Sequence, residues 1–571
     1  MKTATIIQQE TYDAIVVGSG ISGGWAAKEL TEKGLKTLVL ERGRPVEHGK
    51  DYITEHKNQW ELPHRGRLTP AEIEAHYPVQ NRSGVIDGTT KHFFVKDSEQ
   101  PYIEDKPFIW ARGDQVGGRS LTWGRGVPRW SPLDFEAPLK DGHGIDWPIR
   151  YDDIAPWYDY VERFIGVNGE PMNSPAIMDG IFQKPMQMNA VEKHVRRRIE
   201  ESFPGRTMTT FPTAILTEPL NGRAPCHYCG PCMRGCSTGS YFSSQSSTLP
   251  AARTTGNLTL RPHSVVHSII YDEEKDRATG VRVVDAQTQA MIEFYGTVIF
   301  LCASALASTQ ILLNSNSPRF PDGLANSSGT LGHYLMDHHF RVGAFGIIPG
   351  FEDRYYQGNR PAPVYIPRFR NVSPETTQPN YVRGFHYAGG GGRQSWNRGS
   401  GERGFGASLK EKLRDPGPWT MYINGFGEML PNYDNRVYLD AEDTDQWGIP
   451  LLRVNCEFGP NAYEMRKDMK ASAVEMLEAA GAENIVSFDQ IDTAPPGTGI
   501  HEMGTARMGR DPKTSVLNAH NQCHDVPNLF VTDGACMTSS ACQNPSITYM
   551  ALTARACAYA VEALQKGKLA S

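Results

Sequence analysis

Residues 12–41 read YDAIVVGSGISGGWAAKELTEKGLKTLVLE, and the fold is decided here. Tyr12-Asp13-Ala14-Ile15-Val16-Val17 is a short apolar, β-branched run of the kind that makes a buried strand. It leads straight into Gly18-Ser19-Gly20-Ile21-Ser22-Gly23. A helical stretch from Gly24 to Lys33 follows, Gly34 ends it, and Leu35 to Leu40 forms a second β-rich run that stops at Glu41, 23 residues after Gly18. Strand, glycine turn, helix, strand and acid in this order make a dinucleotide-binding unit. Gly18 would allow the tight turn, Gly20 the close approach of backbone to a pyrophosphate, and Gly23 the packing of helix on strand. The helix N-terminus would turn its N–H groups toward the phosphates, and Glu41 stands where an acid bonds the ribose hydroxyls. The pattern does not by itself separate NAD from FAD.

Working outward, 571 residues are too many for one ordinary core, so two domains are expected. With 58 basic and 64 acidic residues the net charge is -6, and no block of like charge forms a basic stripe, which argues against a nucleic-acid partner. No apolar run approaches the ~20 residues of a membrane span, and no export signal is visible before the first strand. Residues 44–107 are polar and rich in Pro, Gly and His, which suggests loops or a lid. A helical pattern covers 148–205, strands are expected over 258–270 and 280–301, and a helix over Ala303–Leu313. An aromatic-rich β pattern lies near 335–385, a helix over Ala462–Ala480, and an amphipathic helix over Thr548–Leu564. The glycine-rich run Gly389 to Gly406 reads as a flexible surface loop.

This alternation predicts an α/β protein: a Rossmann-like nucleotide-binding domain assembled from several segments, plus an α+β substrate domain with a mixed or antiparallel sheet. The nucleotide domain would take residues 1–150, with the lid-like 44–107, then 246–319 and 491–571. The substrate domain would take the helices and Cys-rich loop of 151–245, and residues 320–490.

Further motifs carry a resemblance. Gly117-Gly118-Arg119-Ser120-Leu121-Thr122-Trp123-Gly124, His501-Glu502-Met503-Gly504-Thr505-Ala506-Arg507-Met508-Gly509, Thr532-Asp533-Gly534 and Asn544-Pro545-Ser546 stand in an order that spans nearly the whole chain. With Gly18 to Glu41 and Arg42-Gly43, they resemble the glucose-methanol-choline oxidoreductase family, in its pyranose oxidase and bacterial sugar dehydrogenase branches. The resemblance implies FAD, with Asp533 and Gly534 near the pyrophosphate and ribityl chain, and the loop Gly118, Ser120, Thr122, Trp123 along the flavin. It also implies that Val266, in the strand Ser264 to Ile269, offers backbone to the adenine, and that Asn544, Pro545 and Ser546 close the flavin site. His501 falls at the family's base position and Asn544 at its hydrogen-bonding partner. Histidine suits a base because its ordinary pKa of ~6.5 lies near working pH. The expected reaction is removal of a proton and a hydride from a secondary hydroxyl of a sugar or glycoside, C3 of a glucosyl unit above all, with the hydride passing to flavin N5. Arg507 reads as structural.

Cys226, Cys229, Cys232 and Cys236 give C-x2-C-x2-C-x3-C, the spacing by which ferredoxins wrap an iron–sulfur cluster, although Ser237 follows where the ferredoxin run has proline. Cys226, Cys232 and Cys236 also resemble the cluster loop of bacterial FAD-dependent glucose dehydrogenases. A 3Fe-4S or 4Fe-4S cluster is therefore expected, with zinc and unmetallated thiols as the alternatives. Such a relay favours a dehydrogenase, served by a small subunit and a cytochrome or other acceptor, over an oxygen-using pyranose or C-glycoside oxidase. Location is then periplasmic through a signal-bearing partner subunit, or cytoplasmic.

Where the pyranose oxidase branch joins flavin to a loop histidine, this chain has Thr122 in the run Ser120 to Trp123. Acid precipitation should therefore release all flavin as free FAD, measured by absorbance of the supernatant; yellow colour retained in the pellet would refute noncovalent binding.

Overall fold

The computed structural model describes residues 7–355, 358–395, 398, 399, 402 and 404–569. The strand Ile7–Val17 pairs in parallel with Thr37–Leu40, in the register Ala14↔Thr37 to Val17↔Leu40. Parallel strands are covered on both faces, which is why Ala14, Ile15, Val16, Leu38 and Val39 form continuous apolar runs and are fully buried. The helix between them, Ile21–Glu32, starts directly after Gly20. Its Gly, Ala and Trp25 face is buried, with Trp25 edge-on to Tyr160 and Phe164 at 5.8 and 5.3 Å.

The parallel core runs in the order Leu258–Arg261, Thr37–Leu40, Ile7–Val17, Met291–Leu301, Leu529–Val531, so that segments from both ends of the chain build one sheet. Met291–Leu301 also pairs through its first half with Arg277–Asp285, antiparallel, and that strand pairs with Ser264–Asp272. The single strand expected over 258–270 is thus two. Pro262 has no N–H to donate and His263 takes φ +54, so the chain leaves the parallel sheet there and crosses the end of its neighbour, where Ser264 N donates to Glu41 O at 2.8 Å.

The second sheet is antiparallel, in the order Glu483–Asp489, His339–Ile347, Trp419–Gly427, Phe385–Arg393, Val364–Ile366, Thr209–Thr210. Helices Pro460–Ala479 and Ala190–Ser202 pack on it, with Met465, Met469 and Met476 against Val342, Tyr387, Met421 and Ile423. A smaller sheet joins Arg436–Thr444, Pro450–Asn455 and Ile103–Glu104.

Several segments sit elsewhere than their sequence neighbourhood indicates. Helix Tyr151–Ile165, expected with the substrate domain, packs on the nucleotide unit, against helix Ser546–Gln565, with Tyr158 Oη 2.8 Å from Thr548 Oγ1. Residues 44–107 are not a bare lid: short helical turns bury Val46, Tyr52, Tyr77, Ile86, Phe93 and Phe94 against Ala111 and Leu121. Among the described residues no helix is long and apolar enough to cross a membrane.

The first part of the glycine run is strand rather than flexible loop. Gly389 to Gly392 pair with Ile423, Tyr422, Met421 and Thr420, while residues 396, 397, 400, 401 and 403 of the run lie outside the described residues. A Cβ at Gly389 would stand 2.2 Å from the Tyr422 carbonyl oxygen. Gly389→Val should therefore cost ~2 kcal/mol and lower Tm by calorimetry, a cost that overpacking imposes and a loop would escape.

Candidate functional site

The turn after the first strand shows why its residues are glycine. Gly18 takes φ +96, a conformation costly for any side chain, and a Cβ at Gly23 would fall 1.9 Å from the Gly18 carbonyl oxygen. A Cβ at Gly20, by contrast, meets nothing within 4 Å, because Gly20 faces a cavity of about 540 Å³. The second glycine loop presses on the first, a Cβ at Gly118 lying 3.3 Å from Gly20 Cα. Glu41 accepts from Ser19 N at 3.0 Å and Gly43 N at 2.9 Å, which fixes its carboxylate at the rim of the same cavity.

Every residue expected at the cofactor lines this one cavity: Gly18, Gly20, Glu41, Arg42, Gly118, Ser120, Thr122, Trp123, Val266, Asp533, Gly534, Asn544, Pro545 and Ser546, with Gly23 just behind. Arg42 stacks over Trp447 at 4.7 Å. Ser120 Oγ accepts from Ser244 N at 3.1 Å, and Trp123 Nε1 donates to Phe242 O at 3.0 Å, so the second loop is held from behind. Asp533 acts as a clamp: its carboxylate takes Ser304 N and Ala535 N, each at 3.0 Å, and burial pushes its pKa up to about 6. Helix Ser546–Gln565 starts at the cavity wall, with its first-turn N–H groups and positive dipole end there.

The cavity also holds buried polar atoms without a partner, among them Arg42 Nε, Asn544 Oδ1 and Tyr549 Oη. Such atoms are costly unless something bonds them, and a long polar dinucleotide in this cavity is a group that does. The donor set fits FAD.

His501 and Asn544 meet across 43 residues of sequence, Asn544 Nδ2 lying 3.2 Å from His501 Nε2. Burial, then the neighbouring His338, Arg119 and His386, holds His501 well below the usual histidine range, so its imidazole is neutral. Sequence reasoning missed what stands behind it. His338 Nδ1 is 2.8 Å from His501 Nδ1, and the carboxylate of Asp337 accepts the N–H groups of Gly497, Gly499 and His501 at 2.8, 2.8 and 3.0 Å. Burial and the charge of Glu502 push Asp337 up to about 7, against these N–H donors. Arg119 pairs with Glu502, Nη2 to Oε2 2.7 Å, on the same wall. The run Asp337-His338-His339 was the only signal, and no spacing ties it to His501. Arg507 ties down its loop, donating to Thr514 O from Nε at 3.1 Å and lying over Tyr334.

On the substrate side Phe340, Arg341 and Phe426 come from the antiparallel sheet to the cavity, with Phe340 and Phe426 stacked at 5.2 Å. The cysteine loop reaches the cavity through Met233, to whose sulfur Arg125 Nη1 donates at 3.9 Å.

The metal expectation for Cys226, Cys229, Cys232 and Cys236 finds no support. All four are free thiols, and among the described residues no three Cys, His, Asp or Glu side chains are gathered to hold a metal ion. Cys236 Sγ instead contacts the hydroxyls of Thr238 and Ser240 at 3.2 and 3.3 Å, and Cys226 Sγ accepts from Tyr228 N at 3.4 Å. As placed, the described residues form no group that could hold an iron–sulfur cluster or zinc.

Residues 12–340 match the N-terminal family model and residues 431–553 the C-terminal family model described as GMC oxidoreductase. The chain is 30% identical over 571 residues to 2-methyl-1,2-propanediol dehydrogenase of Mycolicibacterium austroafricanum, covering 95% of this chain and 94% of that one. It is 26% identical to the fructose dehydrogenase large subunit of Gluconobacter japonicus, covering 97% and 98%. The crystal structure of pyridoxine 4-oxidase from Mesorbium loti shares the fold, with a TM-score of 0.56 at 16% identity, over 96% of this chain and 98% of that one.

Placing a side chain at Gly20 fills cavity, whereas at Gly23 it strikes backbone. Gly20→Val should purify folded, with Tm close to that of the flavin-free wild type, but without flavin absorbance, while Gly23→Val should fail to fold; flavin bound normally by Gly20→Val would remove this cavity as the cofactor site.

Proposed function

The chain belongs to the GMC oxidoreductase family, the FAD-dependent oxidoreductases of alcohol and sugar hydroxyls, and on that premise we propose that it is a dehydrogenase of sugars or glycosides. Its target is a secondary hydroxyl, with C3 of a glucosyl unit as the specific position. The observation that carries the reading is the neutral, buried His501 beside Asn544 in the cavity that holds the glycine loops. FAD, when bound, supplies the redox chemistry by accepting a hydride at N5.

The chain's own residues do the rest. His501 takes the hydroxyl proton at Nε2, and Asn544 Nδ2 orients the substrate oxygen beside it. The stacked Phe340 and Phe426 offer an apolar face to a sugar ring, and Arg341, also at the cavity wall, stands among them as a donor. Glu502, paired with Arg119, offsets part of the positive charge by which Arg119 opposes a cation on His501. That one full-length relative is named as a large subunit supports electrons leaving this chain to an external acceptor through a partner subunit. Residence in the periplasm with such a partner, or in the cytoplasm, belongs to the same proposal.

Purified holoenzyme under argon should bleach its flavin when glucoside is added, with the 3-keto product seen by NMR, and recover slowly in air; rapid recovery in air would make it an oxygen-using oxidase. His501→Ala should lower the rate of flavin reduction ~10²-fold or more with FAD still bound, the loss expected for a general base. Near wild-type turnover in that variant would take the base role from His501.

A further inference from the structure

Protons in the network behind His501 can be placed one by one from what each partner is able to do. His338 Nε2 lies 3.2 Å from Ser540 O and 3.0 Å from Ala541 O. Carbonyl oxygens only accept, so Nε2 carries the hydrogen. Burial lowers the His338 pKa to about 4, so the ring holds one proton and Nδ1 is a bare lone pair. The atom opposite that lone pair is His501 Nδ1, at 2.8 Å, which must therefore be the donor. His501 is neutral as well, so its Nε2 is bare, and it is there that Asn544 Nδ2 donates at 3.2 Å. The two rings stand edge to face, 81° apart, which lets one nitrogen of each point at the other.

We propose that His338 is the positioning residue that fixes His501 as the tautomer with its hydrogen on Nδ1 and its lone pair on Nε2. The proposal rests on the reading of His501 as the base. The other tautomer would turn an N–H toward the substrate oxygen and could not accept its proton. It would also require His338 to carry its hydrogen on Nδ1, setting a bare Nε2 against two carbonyl oxygens, a buried repulsion that excludes it. When His501 accepts a proton at Nε2, its Nδ1–H remains bonded to His338, which spreads the new positive charge without adding a carboxylate. Asp337, the preceding residue, holds the backbone N–H of His501, so adjacent residues of the substrate unit orient both the ring and the main chain of the base. His338 does not line the cavity, so it acts through His501.

Two substitutions separate this role from packing. Asn places an oxygen acceptor where His338 Nδ1 stands, whereas Gln places its amide where Nε2 stands and leaves nothing to accept from His501. In anaerobic stopped-flow reduction of the holoenzyme by saturating glucoside, H338N should slow flavin reduction by about tenfold, and H338Q by about 10²-fold. Substrate affinity, read from the concentration dependence, should change by less than about threefold in both. In a His501→Ala background H338Q should add little further loss, because its effect passes through the ring that is gone. Equal losses in H338N and H338Q, or a further large loss in the double variant, would overturn the tautomer role and leave His338 as packing. If His501→Ala itself reduces flavin normally, the base reading fails first, and the two failures are told apart by that single variant.

Discussion

The pairing of Met291–Leu301 with strands from three other parts of the chain is the constraint on which the molecule depends. Its whole length runs beside Ile7–Val17, its last residues beside Leu529–Val531, and its first half beside Arg277–Asp285. Because the parallel strands end at one level, their outgoing turns converge. Cys302 N donates to Val17 O at 2.9 Å, Thr532 N to Leu301 O at 3.2 Å, and Asp533 reaches back to Ser304. A crevice at the carboxyl ends of parallel strands is where α/β sheets hold nucleotides. Gly18, Ser304 and Gly534 are brought there by hydrogen bonds of a sheet, from positions separated by more than 200 residues.

Chemistry requires a second junction, between that sheet and the antiparallel one. Asp337 and His338, just ahead of strand His339–Ile347, grip the loop 497–501 through its backbone and through the ring of His501. Burial drives His338, His339, His386 and His501 toward the neutral form, so imidazoles gather here without mutual repulsion. A buried site of neutral rings has a lone pair ready for a proton, and directional hydrogen bonds orient the rings of His338 and His501. The atoms without a partner on the cavity wall, Asn544 Oδ1 and Tyr549 Oη, are tolerable where a cofactor and substrate supply the missing bonds.

The cysteine loop shows how far spacing can be trusted. Intervals of two, two and three residues bound how far apart the thiols are along the chain, and not whether they gather to hold an ion. The glycine run makes the converse case. Taken alone, Gly389 to Gly392 have no side chains to signal a strand, and their place in one is set by the backbone of Trp419–Gly427 alongside.

By itself the sequence determined whatever depends on the local backbone: the nucleotide turn, because Gly18 needs positive φ and Gly23 has no room for a Cβ; the acid at Glu41; and the α/β class, because buried parallel strands demand unbroken apolar runs. Family motifs in the sequence also singled out His501 and Asn544, which stand 3.2 Å apart. Tertiary structure alone decided that helix Tyr151–Ile165 serves the nucleotide unit and that His338 stands behind His501. The physical reason is the range of the forces involved. A dihedral angle or a missing Cβ is a property of one residue and its neighbours, whereas the direction of a hydrogen bond between rings 163 residues apart is set only when two sheets have packed against each other.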